Sequence, residues 1–191
     1  MKALITLHNR IFDALESLAL VLIPTLARLV FAGTLLVYYW NSGLTKLGEG
    51  WPGILNPGVG AYGQIVPRLF EQAGYNTANL GLVADVMVRA GTWAEFILPA
   101  LLLLGLATRL AALGMIGFVI AQSWVDIHGH NLAAGDIGAW FDRVPDSLIA
   151  DQRAFWMFLL VVIVLRGAGP LSADAILRRT RAAGAAGWPK A

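Results

Sequence analysis

The chain has 191 residues, of which 58% are hydrophobic and 14% are charged. A soluble globular domain is usually about 45–50% apolar and about 25% charged, so this composition predicts a protein whose solvent is lipid. The net charge of +2 predicts no nucleic-acid partner, and the lack of cysteine excludes a disulfide, an iron–sulfur cluster or a thiol nucleophile within the sequence. A redox role would therefore need a bound cofactor, a substrate such as a quinone, or a partner protein.

The pattern of apolar side chains in residues 1–17 predicts an amphipathic helix, because these side chains recur at helical spacing. We expect this helix to lie in the membrane interface beneath the first transmembrane helix. Its apolar positions are Leu4, Ile5, Ile11, Phe12 and Leu15.

Four further segments are apolar over about the 20 residues that a helix needs to cross the hydrocarbon core. They cover residues 18–40, 82–106, 109–127 and 152–167. Only a few residues separate the second segment from the third, so these two helices should be antiparallel neighbours. The predicted fold class is all-α: an integral membrane four-helix bundle over residues 18–167, followed by a basic cytoplasmic tail over residues 168–191.

The connection between the first two segments is long, and it is rich in glycine and proline at its start. Connections of this length within a compact domain are uncommon unless they are functional or disordered. Residues 47–80 are apolar and turn-rich rather than highly charged, which argues against disorder. They therefore predict an ordered cap over the outer face of the bundle.

The distribution of Lys and Arg predicts the orientation. With both termini in the cytoplasm, more basic residues lie inside than outside, as the positive-inside rule requires. The inner set is Lys2, Arg10, Arg109, Arg166, Arg178, Arg179, Arg181 and Lys190, and the outer set is Lys46, Arg68, Arg143 and Arg153. We expect a multi-pass protein of the bacterial inner membrane with N-in and C-in topology.

Ionisable residues within the first two predicted helices are the main candidates for a site, because such residues usually face a bundle interior. Arg28 and Glu95 lie near the middle of antiparallel helices, and their matched depth predicts an ion pair. Asp85 and Arg89 stand four residues apart, the spacing of a favourable helical pair. Two interpretations stay open and are compatible: structural pairs that fix helix contacts, or a polar site for a headgroup or for protons.

The end of the third segment, WVDIHGHN, combines Asp126 with His128 and His130. A His-x-His pair without a second histidine-rich segment does not predict a metal site. Asp126 and His128 are instead candidates for proton exchange, because histidine titrates near neutral pH.

Several short motifs in order resemble those of the DoxX family of small four-helix membrane proteins. They are Arg28 in LARLVFAG, Gly43 and Lys46 in NSGLTKL, Glu95, Gly105 and Arg109 in WAEFILPALLLLGLATRLAAL, and Gly167, Gly169, Ser172 and Asp174 in GAGPLSAD. The family takes its name from a subunit of thiosulfate:quinone oxidoreductase. Other relatives resemble membrane partners of thiol-oxidising, sulfurtransferase or dismutase proteins, or accessory factors for the maturation of redox enzymes. The resemblance implies a redox-associated membrane role and names no reaction.

The favoured hypothesis is a redox-associated membrane subunit that binds a quinone and anchors an oxidoreductase partner, with no covalent cofactor and no metal. Its polar pocket would be formed by Arg28, Lys46, Asp85, Arg89 and Glu95. The alternatives are a non-enzymatic scaffold or assembly subunit of a larger membrane complex, and a carrier of small molecules or protons. The expected partners are the lipid bilayer and either other protein subunits or further copies of this chain.

Overall fold

The computed structural model describes residues 1–186. Within them every regular element is helical, apart from an isolated bridge between Leu47 and Pro57. Helix α1 (Lys2–Phe31) continues through a wide π-helical turn (Ala32–Leu36) into α2 (Val37–Leu44), and a second π-helical turn (Leu148–Arg153) precedes α8. The later helices are α3 (Val59–Ile65), α4 (Pro67–Gln72), α5 (Leu82–Leu104), α6 (Thr108–His128), α7 (Ala134–Ile137), α8 (Ala154–Arg166) and α9 (Ala173–Ala186).

Four helical units are long and apolar enough to cross a membrane, and they match the four predicted segments. We name them the first span (Lys2–Leu44), the second span (Leu82–Leu104), the third span (Thr108–His128) and the fourth span (Leu148–Arg166). The predicted fold class, an all-α membrane bundle, is confirmed.

The first span differs from its prediction at its start. No boundary separates residues 1–17 from a first transmembrane helix, because α1 runs unbroken from Lys2 and the whole span is 43 residues long. A straight helix of this length measures about 65 Å, roughly twice the hydrocarbon thickness of about 30 Å. Nearly all side chains before Pro24 are exposed, so the first half of α1 extends beyond the bundle.

The four spans form a ring in which each packs against the next and the fourth packs against the first. The bundle core is apolar and includes Phe31, Leu35, Tyr39, Leu102, Met115, Leu160 and Ile163. Small residues let helices approach closely in lipid, where packing rather than water exclusion holds them together. At Gly43, for example, a Cβ would lie 2.6 Å from the far edge of the Phe96 ring, so a larger side chain there would require that ring to move.

The two ends of the bundle have different constructions. The turn end holds the short α5–α6 connection, residues 105–107, and the cap end holds residues 45–81 and 129–147. At the turn end α5 stops at Gly105, whose φ of +67° is a left-handed conformation that favours glycine. A Cβ at Gly105 would also lie 2.5 Å from the Ser172 Cβ and 2.6 Å from the Arg28 Cζ.

Arg28 lies at the turn end, and its predicted ion pair with Glu95 is wrong. Its guanidinium donates to the carbonyls of Leu102 and Leu103 at 2.9 and 2.7 Å, and to those of Ala168 and Leu171 at 2.6 and 2.9 Å. These carbonyls belong to the end of α5 and to the segment after α8, where helical partners are missing. Leu102 stands seven residues beyond Glu95, about 10 Å along the helix. Arg28 lies nearer the end of the bundle than its place in the apolar segment predicts, because α1 enters the bundle later than its hydropathy indicates.

Asp174 completes the turn end from the start of α9. Its carboxylate accepts from the backbone N–H groups of Ala107 and Thr108 at 2.8 and 2.9 Å and from the Thr108 hydroxyl at 2.8 Å. It thereby caps the N-terminus of α6, where negative charge is favourable. Partial burial by itself would raise the pKa of Asp174, but these hydrogen bonds and the charge of Arg178 hold that pKa below its usual range.

The region of the predicted cap is folded, because α3 and α4 pack on each other and α3 packs on the first half of α5; its position on the outer face of the membrane stays a prediction. Tyr62, Val66 and Phe70 form an apolar cluster with Ala84 and Val88 of α5. At the other end of the chain, residues 173–186 of the predicted tail form α9, and residues 187–191 lie outside the described residues.

Candidate functional site

A cavity of about 780 Å³ lies between the four spans and extends from the cap end toward the middle of the bundle. Gln64 and His130 line it at the cap end, and Thr34 and Phe118 line it at depth. Its apolar walls include Leu35, Ile65, Met87, Phe118, Val125, Leu132, Leu148 and Trp156, and its polar groups include Ser42, Lys46, Glu95, Gln122, Asp126, Gln152 and Arg153.

One buried ion pair, between Lys46 and Glu95, joins the first and second spans in the cavity wall. The Lys46 Nζ lies 3.0 Å from each carboxylate oxygen, and both side chains are only 5% exposed. Ser42, one turn before Lys46, accepts from Nζ through its hydroxyl at 2.8 Å and donates that hydroxyl to Glu95 Oε1 at 3.0 Å. The cap also holds the backbone of Lys46, because the Lys46 carbonyl accepts a hydrogen bond from the Gly58 N–H at 2.9 Å.

A second ion pair, between Arg153 and Asp126, joins the fourth and third spans in the same cavity wall. The Arg153 Nη2 donates to Asp126 Oδ2, and Nη1 donates to the Ser123 hydroxyl at 2.8 Å. The side chain of Arg153 is 8% exposed, and its guanidinium carbon lies 6.0 Å from the centre of the Trp156 ring. Each ion pair therefore ties two adjacent spans and presents charge to the cavity.

Both π-helical turns contribute to the cavity wall. Thr34 and Leu35 come from the turn in the first span, and Leu148, Gln152 and Arg153 come from the turn that opens the fourth span. Single π-helical turns inside α-helices occur frequently at functional sites, since the extra residue redirects side chains. Here they direct side chains from two adjacent spans, the first and the fourth, into the same cavity.

Neutral polar groups complete the wall. The Gln122 amide donates to the Tyr38 hydroxyl at 3.2 Å and accepts from the Tyr39 hydroxyl at 3.4 Å. The His130 Nε2 lies 3.1 Å from the Gln64 carbonyl, so the end of the third span is tied to the cap. The cavity thus combines aromatic and aliphatic surface with a few fixed polar groups.

The structure brings only part of the predicted site together. Lys46, Glu95 and Asp126 line the cavity, whereas Arg28 lies at the turn end. His128 packs against Trp124 with the two rings tilted and their centres 4.0 Å apart, and it does not line the cavity.

Asp85 and Arg89 fix the cap instead of forming their predicted helical pair. Asp85 accepts from the Tyr62 hydroxyl at 2.7 Å, and Arg89 donates to the Leu55 carbonyl and to the Asn56 side chain. The hydrogen bond to Asp85 acts together with burial, the larger cause, to raise the pKa of Tyr62.

Sequence reasoning missed Arg153, Gln122, Gln64 and His130 as cavity residues. In the sequence, Arg153 entered only the comparison of basic residues on the two sides of the membrane, because it stands at the edge of the fourth apolar segment. The sequence did carry one signal for this pair. Arg153 stands near the start of the fourth span and Asp126 near the end of the third span, so both lie at the cap end, and their charges are opposite. The glutamines carried no comparable signal.

Comparison with known proteins agrees with the resemblance in the motifs. The family model described as DoxX matches residues 23–128, more than half of the chain. No curated protein and no solved structure matches the chain. The matched residues include Lys46, Glu95 and Asp126 of the cavity and end before Arg153.

Proposed function

The chain belongs to the DoxX family of membrane proteins, and we propose that it is a redox-associated membrane subunit that binds a quinone-class molecule in its cavity. In this proposal the electrons are exchanged with a partner oxidoreductase that the protein anchors at the membrane. The sequence contains no cysteine for a redox-active disulfide. The protein's own share is to bind and orient the quinone beside fixed charges.

The cavity is the observation that carries the proposal. Its volume of about 780 Å³ falls within the usual range for small-molecule sites, about 300–1,000 Å³. Such sites are mostly apolar with a few converging polar groups. A quinone combines a flat apolar ring with polar oxygens at its edge. In the cavity, Tyr38, Phe118 and Trp156 could pack against the ring, and the two ion pairs provide polar groups for the oxygens.

The experiment purifies the full chain in mild detergent and measures copurifying quinone by mass spectrometry, followed by titration with a short-tailed benzoquinone. The variant Ala121→Phe places a ring in the cavity wall, whereas Ile120→Phe adds a similar ring at an exposed position of the same helix outside the cavity. We expect Ala121→Phe to weaken binding roughly tenfold or more, since overpacking costs about 1–3 kcal/mol. Ile120→Phe should bind as the wild type does. Absence of quinone binding by the wild type, or equal binding by both variants, would refute the proposal.

A scaffold role is the second candidate, and the first half of α1 favours it. This helical segment extends beyond the bundle and exposes a series of apolar side chains, among them Leu4, Ile5, Ile11, Phe12 and Leu15. A stable protein complex that survives purification without bound quinone, and that is lost when residues 2–20 are deleted, would support the scaffold over the quinone subunit.

The proposed location is the bacterial inner membrane with the turn end in the cytoplasm. Arg109, Arg166, Arg178 and Arg179 all lie at the turn end, around the start of α9. Their clustering supports this orientation, because cytoplasmic loops carry an excess of basic residues and anionic lipids attract them.

A further inference from the structure

A groove of about 470 Å³ lies at the turn end of the molecule. Its walls come from the first span at Leu20 and Pro24, from the segment after α8 at Gly169 and Pro170, and from one face of α9. It shares no lining residue with the cavity between the four spans. The groove is therefore a second, independent place at which a ligand can be held.

The floor of the groove is fixed by the close packing of Gly169 against the first span. Gly169 has a φ of +73°, a left-handed conformation that favours glycine. A Cβ at this position would lie 2.7 Å from the Thr25 hydroxyl oxygen and 3.3 Å from the Pro24 Cγ. Pro24 and Ala175, which also line the groove, are buried. The segment that leads into α9 is thereby held against the first span, and the floor of the groove keeps one shape.

The rim of the groove is basic. Arg166, Arg178 and Arg179 line it, and all three side chains are exposed. Among the described residues, no acidic side chain lines this groove and no ion pair includes these arginines. The charge of Arg178 acts on Asp174, but the carboxylate of Asp174 is directed to the N-terminus of α6. The positive charges of Arg166 and Arg179 are therefore left for an anion.

A phosphate group suits this rim, and the apolar wall beside it indicates which molecule carries the phosphate. A guanidinium presents N–H donors in a planar fork that matches the oxygens of phosphate. Arg166 is the last residue of the fourth span, so the groove lies at the membrane surface, where lipid headgroups are found. Leu20, which is 63% exposed, gives the groove an apolar side that a lipid chain can cover and a free phosphate cannot.

We propose that this groove binds the headgroup of an anionic phospholipid. The phosphate accepts hydrogen bonds from Arg166 and Arg179, the charge of Arg178 lies beside it, and the hydrocarbon of the lipid covers Leu20. Basic pockets between transmembrane helices bind anionic headgroups in this manner. The lipid joins α9 to the first and fourth spans, and its binding does not depend on the quinone-class ligand of the cavity.

Native mass spectrometry of the full chain in mild detergent measures this binding. Phosphatidylglycerol, which has a net negative charge, and phosphatidylcholine with the same acyl chains, which has none, are titrated separately. Because each arginine near a membrane surface adds attraction for anionic lipid, we expect the first phosphatidylglycerol to bind about tenfold more tightly than phosphatidylcholine, or better. Equal affinities for the two lipids would overturn the proposal.

Competition distinguishes a lipid headgroup from a free phosphate. Inorganic phosphate in excess over lipid is compared with sodium chloride at the same ionic strength, because salt screens exposed charges. The phosphate should displace no more phosphatidylglycerol than the chloride does, since it makes no contact with the apolar side of the groove. Selective displacement by phosphate would assign the groove to a free anion and overturn the lipid proposal.

Two double variants of equal charge separate this groove from a general attraction of basic residues for lipid. Arg166→Gln with Arg179→Gln removes two charges from the groove, whereas Arg109→Gln with Arg181→Gln removes two charges from a neighbouring groove at the turn end. All four side chains are exposed, so both variants should fold. We expect the first variant to lose about tenfold in affinity for phosphatidylglycerol and the second to keep the wild-type preference. An equal loss in both variants, or no loss in the first, would overturn the proposal.

Discussion

At the scale of single residues, the partner of Glu95 is the main difference between the sequence prediction and the structure. An acidic residue in the second span was predicted to need a basic partner, and it has one. The partner is Lys46, at the end of the first span, rather than Arg28. Hydropathy locates a span but does not give the depth of each residue, and here the apolar stretch of α1 begins well before the helix enters the bundle.

Double-mutant cycles distinguish the two pairings. We expect Glu95→Gln or Lys46→Gln alone to lower the free energy of unfolding by about 3–5 kcal/mol, because each leaves an uncompensated buried charge. The double variant should recover much of that loss. The cycle for Glu95→Gln and Arg28→Gln should instead be additive within about 0.5 kcal/mol, as for residues without shared partners. Unfolding of the purified protein in mixed detergent micelles provides the measurement, and strong coupling between Glu95 and Arg28 would contradict the structure.

At the scale of helices, the positions of the spans were predictable and the way in which they are joined was not. Long apolar segments indicate membrane helices, since each backbone polar group must be satisfied within the helix itself in lipid. The π-helical turns at Ala32–Leu36 and Leu148–Arg153 have no such pattern, although they shape the cavity. Likewise, Ser172 and Asp174 were recognisable as motif residues, but only the structure shows that Asp174 caps α6 rather than its own helix.

The cap formed by Asp174 predicts a dependence of stability on pH. Because the folded-state pKa of Asp174 lies below its ordinary value, its contribution is fully present above about pH 4 and is lost as the pH falls through the folded-state pKa. At pH 7 we expect Asp174→Asn to be about 0.3–1 kcal/mol less stable than the wild type, because it removes the negative charge at the N-terminus of α6 and replaces one of the two acceptor oxygens by a donor. That difference should shrink as the pH is lowered from 5 to 2 in unfolding measurements. Asp13→Asn, at an exposed position of α1, serves as the control and should match the wild type at every pH. A difference for Asp174→Asn that grows toward low pH would contradict the capping role.

At the scale of the whole molecule, the two ends of the bundle have separate tasks. At the turn end, Arg28, Gly105 and Asp174 join all four spans. The cap end covers the cavity, which extends from there toward the middle of the bundle. The sequence predicted the number and order of the spans, the ordered cap and three of the charged cavity residues. It did not predict which charges share the cavity, because that depends on the rotation and depth of helices distant in sequence.

The orientation of the molecule is open to a labelling experiment, since the sequence contains no cysteine. Single cysteines are placed at exposed positions by Glu49→Cys and Asp142→Cys at the cap end and by Arg181→Cys at the turn end. In intact spheroplasts a membrane-impermeant maleimide should label the first two and should label the third only after the membrane is permeabilised. Labelling of Arg181→Cys in intact spheroplasts would place the turn end outside and contradict the proposed topology.

Photolabelling can show whether a quinone-class molecule occupies the cavity between the four spans. An azido-substituted benzoquinone is activated on the full-length protein in nanodiscs, and the modified peptides are mapped by mass spectrometry. We expect labels at cavity residues such as Tyr38, Gln122 and Trp156, and we expect them to be lost in Ala121→Phe but not in Ile120→Phe. Labels confined to lipid-facing residues such as Leu110 and Phe158, unaffected by Ala121→Phe, would contradict it.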